Sequence, residues 1–571
     1  MSARRSIARL KITLVVATLA IAVFVSSRPI AGQQGGGVAR VPVTASPQVP
    51  SIPVPSVAVP RVPSQGGSPQ PQPAKYLEPQ RLEALALADR MGVNYLPGEV
   101  IVKFKAGVAK AGQNRALSTM ASQPTTDTIE WHSNFAIVRD ASQPNAYLLA
   151  DQLKSQPEVE FAEPNFFVRV DPLERSATVP TPAVYPSPTR TGTTRGNVRI
   201  GGAPSDADFA TFQWNFSLLN MPSAWDLQPG GNASLIVAVI DTGITTAAAN
   251  LVYPIWTGSS FQTLTMPAAV NPDLPASRLT QPKDFVGARV SPAVPMADLD
   301  GHGTHVSGTI AEETNNSFLV AGMAYNVKIM PVKVCGQYWD QMIARGLSGT
   351  PGFAPSTNET CFLADIADGI AYAVDHGARV LNISLGGPAS PSTAILNALQ
   401  YAASRGAFVA VSMGNDFKFG DPVEYPAVYA ASIDGVMSVA AVNANSSHAS
   451  YSSSGTYCEI AAPGGDLDFA RSDFGAIWQS TLTPSTVGTN LTVPRFDTYN
   501  KVGYTGTSMA SPHVAGLAAL LMSQQPNLTG AQVEQIIKNA VKDLGTAGKD
   551  NLYGFGLIQP REALYGHSIH R

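Results

Sequence analysis

Three short segments carry residue types that together can do chemistry. Val237-Ala238-Val239-Ile240-Asp241-Thr242-Gly243 ends an apolar run on an acid. Gly301-His302-Gly303-Thr304-His305-Val306-Ser307-Gly308-Thr309 reads as a histidine opening a helix. Gly506-Thr507-Ser508-Met509-Ala510-Ser511-Pro512 leads into a helical run from His513 to Ser523. A hydroxyl, an imidazole and a carboxylate are the parts of nucleophilic acyl transfer. The hydroxyl must be exposed, a neutral imidazole must take its proton, and a buried carboxylate must hold the imidazole tautomer. Asp-Thr-Gly also serves aspartic chemistry, but that needs two facing carboxylates, and the chain has one such motif.

These groups need a scaffold. Leu235–Ile240 is apolar throughout, as a strand covered on both faces must be. Ala364–His376 is helical in pattern, and Gly377 is placed to cap it. Val380–Ser384 reads as a strand, Thr393–Arg405 as a helix ending at Gly406, and Ala407–Val411 as a strand. This alternation predicts an α/β fold with a parallel sheet and helices on its faces. In such sheets, sites lie at the C-terminal ends of strands. Upstream, Leu77–Met91 predicts a helix, and Pro97–Lys105 a strand after a turn at Pro97-Gly98. Phe135–Val138 predicts a strand. Ala146–Lys154 predicts a helix with Leu148, Leu149 and Leu153 on one face, and Pro157–Val170 is extended. Together they form a small α+β module.

The chain has 571 residues, 44 % hydrophobic and 14 % charged, with a net charge of −3. That is material for several segments and a large core. The charge gives no basis for a nucleic-acid or anionic-membrane partner. Arg4, Arg5, Arg9 and Lys11 precede the apolar stretch Ile12–Val25, and small residues follow at Ser26, Ser27, Ala31 and Gly32. This pattern predicts a secretion signal over residues 1–32, the stretch being short for a membrane span. An uncleaved anchor is the alternative. Residues 33–75 are proline-rich without an acid and read as a linker. The three cysteines are Cys335, Cys361 and Cys458. Export permits a disulfide, and the odd count leaves one thiol over or all three unpaired.

With the three motifs in the order Asp, His, Ser, the chain resembles the subtilisin-like serine proteases, the subtilases, over roughly Phe212–Gly566. The resemblance implies a subtilisin-like three-layer fold with a mainly parallel central sheet. It makes Asp241 the orienting acid, His302 the general base and Ser508 the nucleophile of a serine endopeptidase. His305 and His513 are then structural. Val411-Ser412-Met413-Gly414-Asn415-Asp416 resembles the family segment whose asparagine helps hold the oxyanion, which assigns Asn415 beside the Ser508 N–H. A turn asparagine after Gly414 is the alternative. Ser384, Leu385 and Gly386 resemble the strand that pairs with substrate, and Ser412, Met413 and Gly414 the wall of the first specificity pocket. Register through Tyr425-Pro426-Ala427 sets Glu424 at that pocket's floor, favouring a basic residue before the scissile bond, or else makes it a surface glutamate.

Pro97–Lys105 and Glu158–Asn165 resemble the subtilase propeptide, an inhibitor-type domain of ferredoxin-like α+β fold. The implied order is signal peptide 1–32, linker 33–75, propeptide 76–170, linker with activation cleavage 171–208, catalytic domain 209–566 and tail 567–571. Trp214–Trp225 resembles the start of a mature domain. Tyr253–Asp298 and Gly336–Glu359 are long departures from the pattern. A disulfide between Cys335 and Cys361 would close the second, leaving Cys458 free and buried. Thr314-Asn315-Asn316-Ser317 resembles a family calcium loop, with Asn316 as a weak structural ligand candidate. No cofactor is expected in catalysis. The expected partners are polypeptide substrates and the chain's own propeptide, with no nucleic acid and no stable membrane association after signal cleavage. The expected location is extracellular. A catalytically dead binding module and a tethered structural protein are the competing classes, and an active-serine reagent separates them from an enzyme.

Overall fold

The structure, a computed structural model, describes residues 79–120, 128–132, 134–170, 175–176, 203–286, 295–349, 359–388, 391–466, 475–483 and 495–568. The signal-like stretch, the first linker and most of residues 171–202 lie outside them.

The N-terminal module runs α1 (Pro79–Met91), β1 (Tyr95–Phe104), α2 (Lys110–Leu117), β2 (Ile129–Trp131), β3 (Ala136–Arg139), α3 (Ala146–Lys154) and β4 (Val159–Val170). Strands β1, β3 and β4 pair antiparallel around central β1, and β2 extends the edge. The expected turn at Pro97-Gly98 is instead inside β1. The register against β4 slips between Tyr95 and Val100, a bulge of the kind where a strand tolerates proline. In α3, Leu149 and Leu153 are buried with Ala146 and Ala150, while Leu148 is 55 % exposed. The i, i+4 spacing of Leu149 and Leu153 sets the buried stripe and turns Leu148 outward.

Strand β5 (Arg175–Ser176) follows, inside a segment expected to be only a linker. The main domain then supplies β6 (Ile236–Asp241), the hairpin β7 (Ala249–Trp256) and β8 (Phe261–Ala268), β9 (Lys283–Asp284), α4 (His302–Ala311), β10 (Lys328–Lys333) and β11 (Cys335–Gly336). After α5 (Tyr338–Ser348) come β12 (Glu359–Phe362), α6 (Leu363–Asp375), β13 (Val380–Ile383), α7 (Thr393–Ser404), β14 (Phe408–Ser412), β15 (Val436–Val442) and β16 (Ile460–Pro463). The chain closes with β17 (Ile477–Leu482), β18 (Tyr499–Tyr504), α8 (Thr507–Gln524), α9 (Gly530–Asn539), β19 (Val541–Lys542), β20 (Leu557–Ile558) and α10 (Pro560–Ser568).

The central sheet has the order β19-β20-β16-β15-β14-β13-β6-β10-β9. It is parallel except for the β19–β20 pair. Strands β13, β14 and β15 are buried at every position, as strands covered on both faces must be. Helix α8 packs on β13–β16, and α6 on β6 and β10. The described parts of the two long departures carry strands and a helix. One contains the β7–β8 hairpin, which packs with α5 from the other around Leu251, Tyr253, Ile255, Trp339 and Ile343. Cys335 and Cys361 sit opposite each other on β11 and β12, with sulfurs at bonding distance, 2.12 Å. Cys458 is free and buried. No helix among the described residues is long and apolar enough to cross a membrane.

The module is sewn to the main domain. Strand β4 pairs antiparallel with β12, joining one sheet of order β11-β12-β4-β1-β3-β2. Glu163 on β4 accepts hydrogen bonds from Ser392 Oγ (2.7 Å), Thr393 N (2.7 Å) and Ala394 N (3.0 Å), so it caps the N-terminus of α7. His132 contacts Asp368, and the buried Arg81 lies 3.9 Å from Asp365. Strand β5 adds to β18 opposite Gly503 and Tyr504.

Candidate active site

Strand β6 lies between β13 and β10, so its last residue, Asp241, emerges mid-sheet with 0 % exposure. His302 begins α4. Its Nδ1 lies 2.7 Å from Asp241 Oδ1, and Thr242 N donates to the same oxygen at 2.7 Å. The approach of helix to strand loop requires glycine at 303, since a Cβ there would fall 2.5 Å from Gly243 O. Asp298 holds the start of the helix. Its Oδ1 accepts from Thr242 Oγ1, Asp300 N and Gly301 N, and its Oδ2 from Thr304 N and Oγ1. Asp298 carried no signal in the sequence beyond lying four residues before the histidine.

Burial opposes a charge on His302, but the Asp241 carboxylate, with help from Glu359 and Asp300, prevails and lifts it to about 9. His305 behaves oppositely. Burial drops it to about 3, and its Nε2 meets Ile477 O and Val502 O at 3.0 and 3.2 Å. His513 is held between Asn215 and Met509 O. Both are buried and hydrogen-bonded within the fold.

Ser508 is the second residue of α8, 3 % exposed. Its Oγ donates to Ser384 O at 3.2 Å, while His302 Nε2 has no partner. The Ser–His bond is therefore not made in this conformation. Ser384 Oγ donates to Ser508 O (2.8 Å) and accepts from Asn382 Nδ2 (2.9 Å), and Ser511 Oγ donates to Asn382 Oδ1 (2.8 Å). This ladder fixes α8 on β13. Asn415 Oδ1 accepts from Thr507 N and Oγ1 at 2.9 and 3.0 Å. With the oxygen engaged, the amide Nδ2 is the donor left for a ligand, next to the N-terminus of α8.

Ser412 and Met413 lie at the end of β14, and Gly414 follows. A Cβ on Gly414 would fall 2.4 Å from the Glu424 carboxyl carbon. Glu424 is thus a buried residue behind Gly414, 1 % exposed, and not a surface glutamate. Its Oε1 accepts from Ser453 Oγ at 3.0 Å. Burial and then Asp416 push its carboxyl up to about 9. Leu385 is buried, and Gly387 exchanges backbone hydrogen bonds with Tyr425 at 3.0 and 3.1 Å.

The opposite wall was missed by sequence reasoning. Strand β12 carries β4 in the register Phe362–Phe167, Cys361–Val168, Thr360–Arg169 and Glu359–Val170. Val168 lines an apolar pocket with Leu363, Ile366, Leu385, Ile395 and Tyr429. One carboxylate oxygen of Glu359 lies within 4.8 Å of ligand atoms of both Asp241 and His302. Nothing in the proline- and glycine-rich sequence before Glu359 announces this.

Asn316 sits in the turn after α4. Its Nδ2 donates to Asp273 Oδ1 (2.7 Å), and its Oδ1 accepts from Phe318 N (2.9 Å). Burial raises the Asp273 carboxyl well above its ordinary value and Asp206 to about 6.

A profile described as "Subtilase family" matches residues 232–556, and one described as "Fervidolysin N-terminal prodomain" matches residues 83–165. A "Thermophilic serine proteinase" of a Bacillus species (strain AK1) is 30 % identical over 461 residues, 81 % of this chain and 86 % of the relative. An "Extracellular protease" of Xanthomonas campestris is 34 % identical over 347 residues, 58 % of this chain and about half of the relative, 52 %. The crystal structure of fervidolysin from Fervidobacterium pennivorans superposes with a TM-score of 0.54 at 22 % identity, covering 83 % of this chain and 61 % of that one. At that identity it speaks to the fold alone.

A base works only when neutral. With His302 raised from 6.5 to about 9, the rate of acylation by this site should climb with pH, its midpoint displaced above 6.5. The pH profile of kcat/KM on a peptide checks this. A midpoint at or below 6.5 contradicts it.

Proposed function

We infer, since this chain belongs to the subtilase family and is a serine-type endopeptidase with a propeptide, that Asp241, His302 and Ser508 are its catalytic triad. The observation that carries the assignment is the 2.7 Å contact between the buried Asp241 and His302 Nδ1, which leaves Nε2 as the proton acceptor. The Ser508 hydroxyl turns from Ser384 O to that nitrogen when substrate binds. Oγ attacks the scissile carbonyl carbon, and His302 takes its proton. The oxyanion is held by the Ser508 N–H at the start of α8 and by Asn415 Nδ2, donors whose loss costs roughly 10²–10³ in rate in acyl transfer. His302 then gives the proton to the leaving amine, and water releases the acyl group by the reverse sequence. No cofactor enters these steps.

Residues 76–170 are the propeptide, with β4 lying on β12 as a substrate-like strand. Cleavage between residues 171 and 208 frees the catalytic domain, 209–566. Residues 1–32 direct secretion, which agrees with the name of the extracellular relative. Substrates are polypeptides bound along Ser384–Gly386, with the residue before the scissile bond in the pocket of Ser412, Met413, Gly414 and Glu424. Wild-type precursor should shorten to a form starting between residues 171 and 208, while Ser508→Ala stays full length, both read by intact-mass spectrometry. A variant that shortens like wild type contradicts self-processing.

Glu424 selects a basic residue before the scissile bond. Lys should exceed Leu there by roughly tenfold in kcat/KM, the worth of one partly screened ion pair. Ionisation of a carboxyl raised to about 9 should sharpen this preference as pH rises. Glu424→Gln should remove it. A clear Leu preference in wild type contradicts the assignment.

The turn holding Asn316 binds structural calcium, with Asp273 and Asp206. Two buried acids bound to amides suit a hard cation with oxygen ligands. Chelation should lower Tm by roughly 4 °C or more, restored by calcium. An unchanged Tm contradicts the site.

A further inference from the structure

Glu359 is a buried acid beside the Asp241–His302 pair. It is the first residue of β12 and 6 % exposed. Among the described residues, its carboxylate has one close contact, the Cys361 sulfur at 3.8 Å. That sulfur is half of a disulfide and has no proton to give. Burial raises the Glu359 carboxyl well above its ordinary value. His302 on α4 counters that, while Asp241 at the end of β6 and Asp300 and Asp298 before α4 add to it. Four acids thus gather around one imidazole, with Lys333 within reach of Asp298. Strand pairing uses only the Glu359 backbone, so the fold does not require an acid here. Ionising a carboxylate in such a place is costly. A metal ion on Asp241, His302 and Glu359 would have to break the Asp241–His302 bond, whereas a cation brought by the substrate would leave it intact.

The register of β4 on β12 says where. Glu359 stands opposite Val170, and directly opposed residues of an antiparallel pair share a face. A substrate residue in that place therefore lays its side chain beside Glu359 and His302. Side chains alternate along a strand. Two residues earlier, the same face reaches the apolar pocket lined by Val168. One residue later, the chain turns to the opposite face, where Gly414 and Glu424 take the residue before the scissile bond. The resident chain has a valine at this register position. A lysine or arginine there would place its stem along the cleft wall and its cation on Glu359.

We propose that Glu359, with Asp300, makes the subsite beside His302 acidic, so that the enzyme selects Lys or Arg at the second residue before the scissile bond. This rests on the triad and on the substrate-like reading of β4. It makes Glu359 a specificity-determining residue that touches substrate.

The test uses the processed enzyme and internally quenched peptides that differ only at the second position before the bond, as Lys, Arg, Leu or Glu. Product masses identify the bond cut. For wild type, kcat/KM with Lys or Arg should exceed Leu by roughly tenfold or more, with Glu poorest, the scale of one partly desolvated charge pair. In Glu359→Gln, the Lys-to-Leu ratio should fall toward one. The ratio, and not the absolute rate, is the readout, so a general loss of activity does not imitate the effect. The wild-type ratio stands even if the variant fails to fold. A wild-type ratio near one, or a ratio unchanged in Glu359→Gln, overturns the proposal while the protease reading stands. An enzyme that cuts none of the peptides and is not modified by an active-serine reagent overturns both.

Discussion

The hydrogen bond between Asp241 and His302 sets the terms for the rest of the structure. A 2.7 Å contact with both partners almost wholly buried can exist only where the carboxylate is held rigidly and water is kept out. A central strand of a parallel sheet does the first. Apolar residues on both faces of β6 and its neighbours do the second. The helix bearing His302 must come close, hence Gly303, and its first turn must be anchored, hence Asp298 with five donors. The charge placed there is then felt widely. It lifts His302 to about 9 and crowds Glu359, while the ionisation of Asp298 and Glu359 is opposed by burial and by neighbouring acids.

The same cleft is an unfinished sheet. Strand β12 exposes an edge, and an edge invites pairing. In this chain the partner is β4, held from behind by Glu163 on α7 and by ion pairs from His132 and Arg81. The module pairs with β12 and is gripped away from that strand as well.

What the sequence makes legible follows physical range. The three motifs are local, each an element edge with its own glycine and apolar signature, and the structure places Asp241 and His302 together as those signatures require. The strand–helix alternation from Val380 to Val411 is local too, and its elements differ from expectation by only a residue or two at their ends. Glu424 needed long-range information, because only its packing behind Gly414 distinguishes a buried acid from a surface one. Glu359 is invisible to local reading. It follows a proline- and glycine-rich stretch, and its meaning comes from β4, far back in the chain, and from His302. The β7–β8 hairpin was likewise obscured, since Pro254 and Pro267 lie within its strands and distant residues, on α5 and at Phe496, pack against them. Leu148 shows the converse, an apolar residue whose exposure the helical period dictates.

The central claim is that Ser508 acts as a nucleophile because His302, oriented by Asp241, takes its proton. The most direct measurement is to treat processed enzyme with a fluorophosphonate and locate the adduct by peptide mass spectrometry. The account predicts one adduct, on Ser508, formed at least roughly a hundredfold more slowly in His302→Ala, the usual scale of general-base assistance. An adduct elsewhere, or one on Ser508 that forms equally fast without His302, would contradict it.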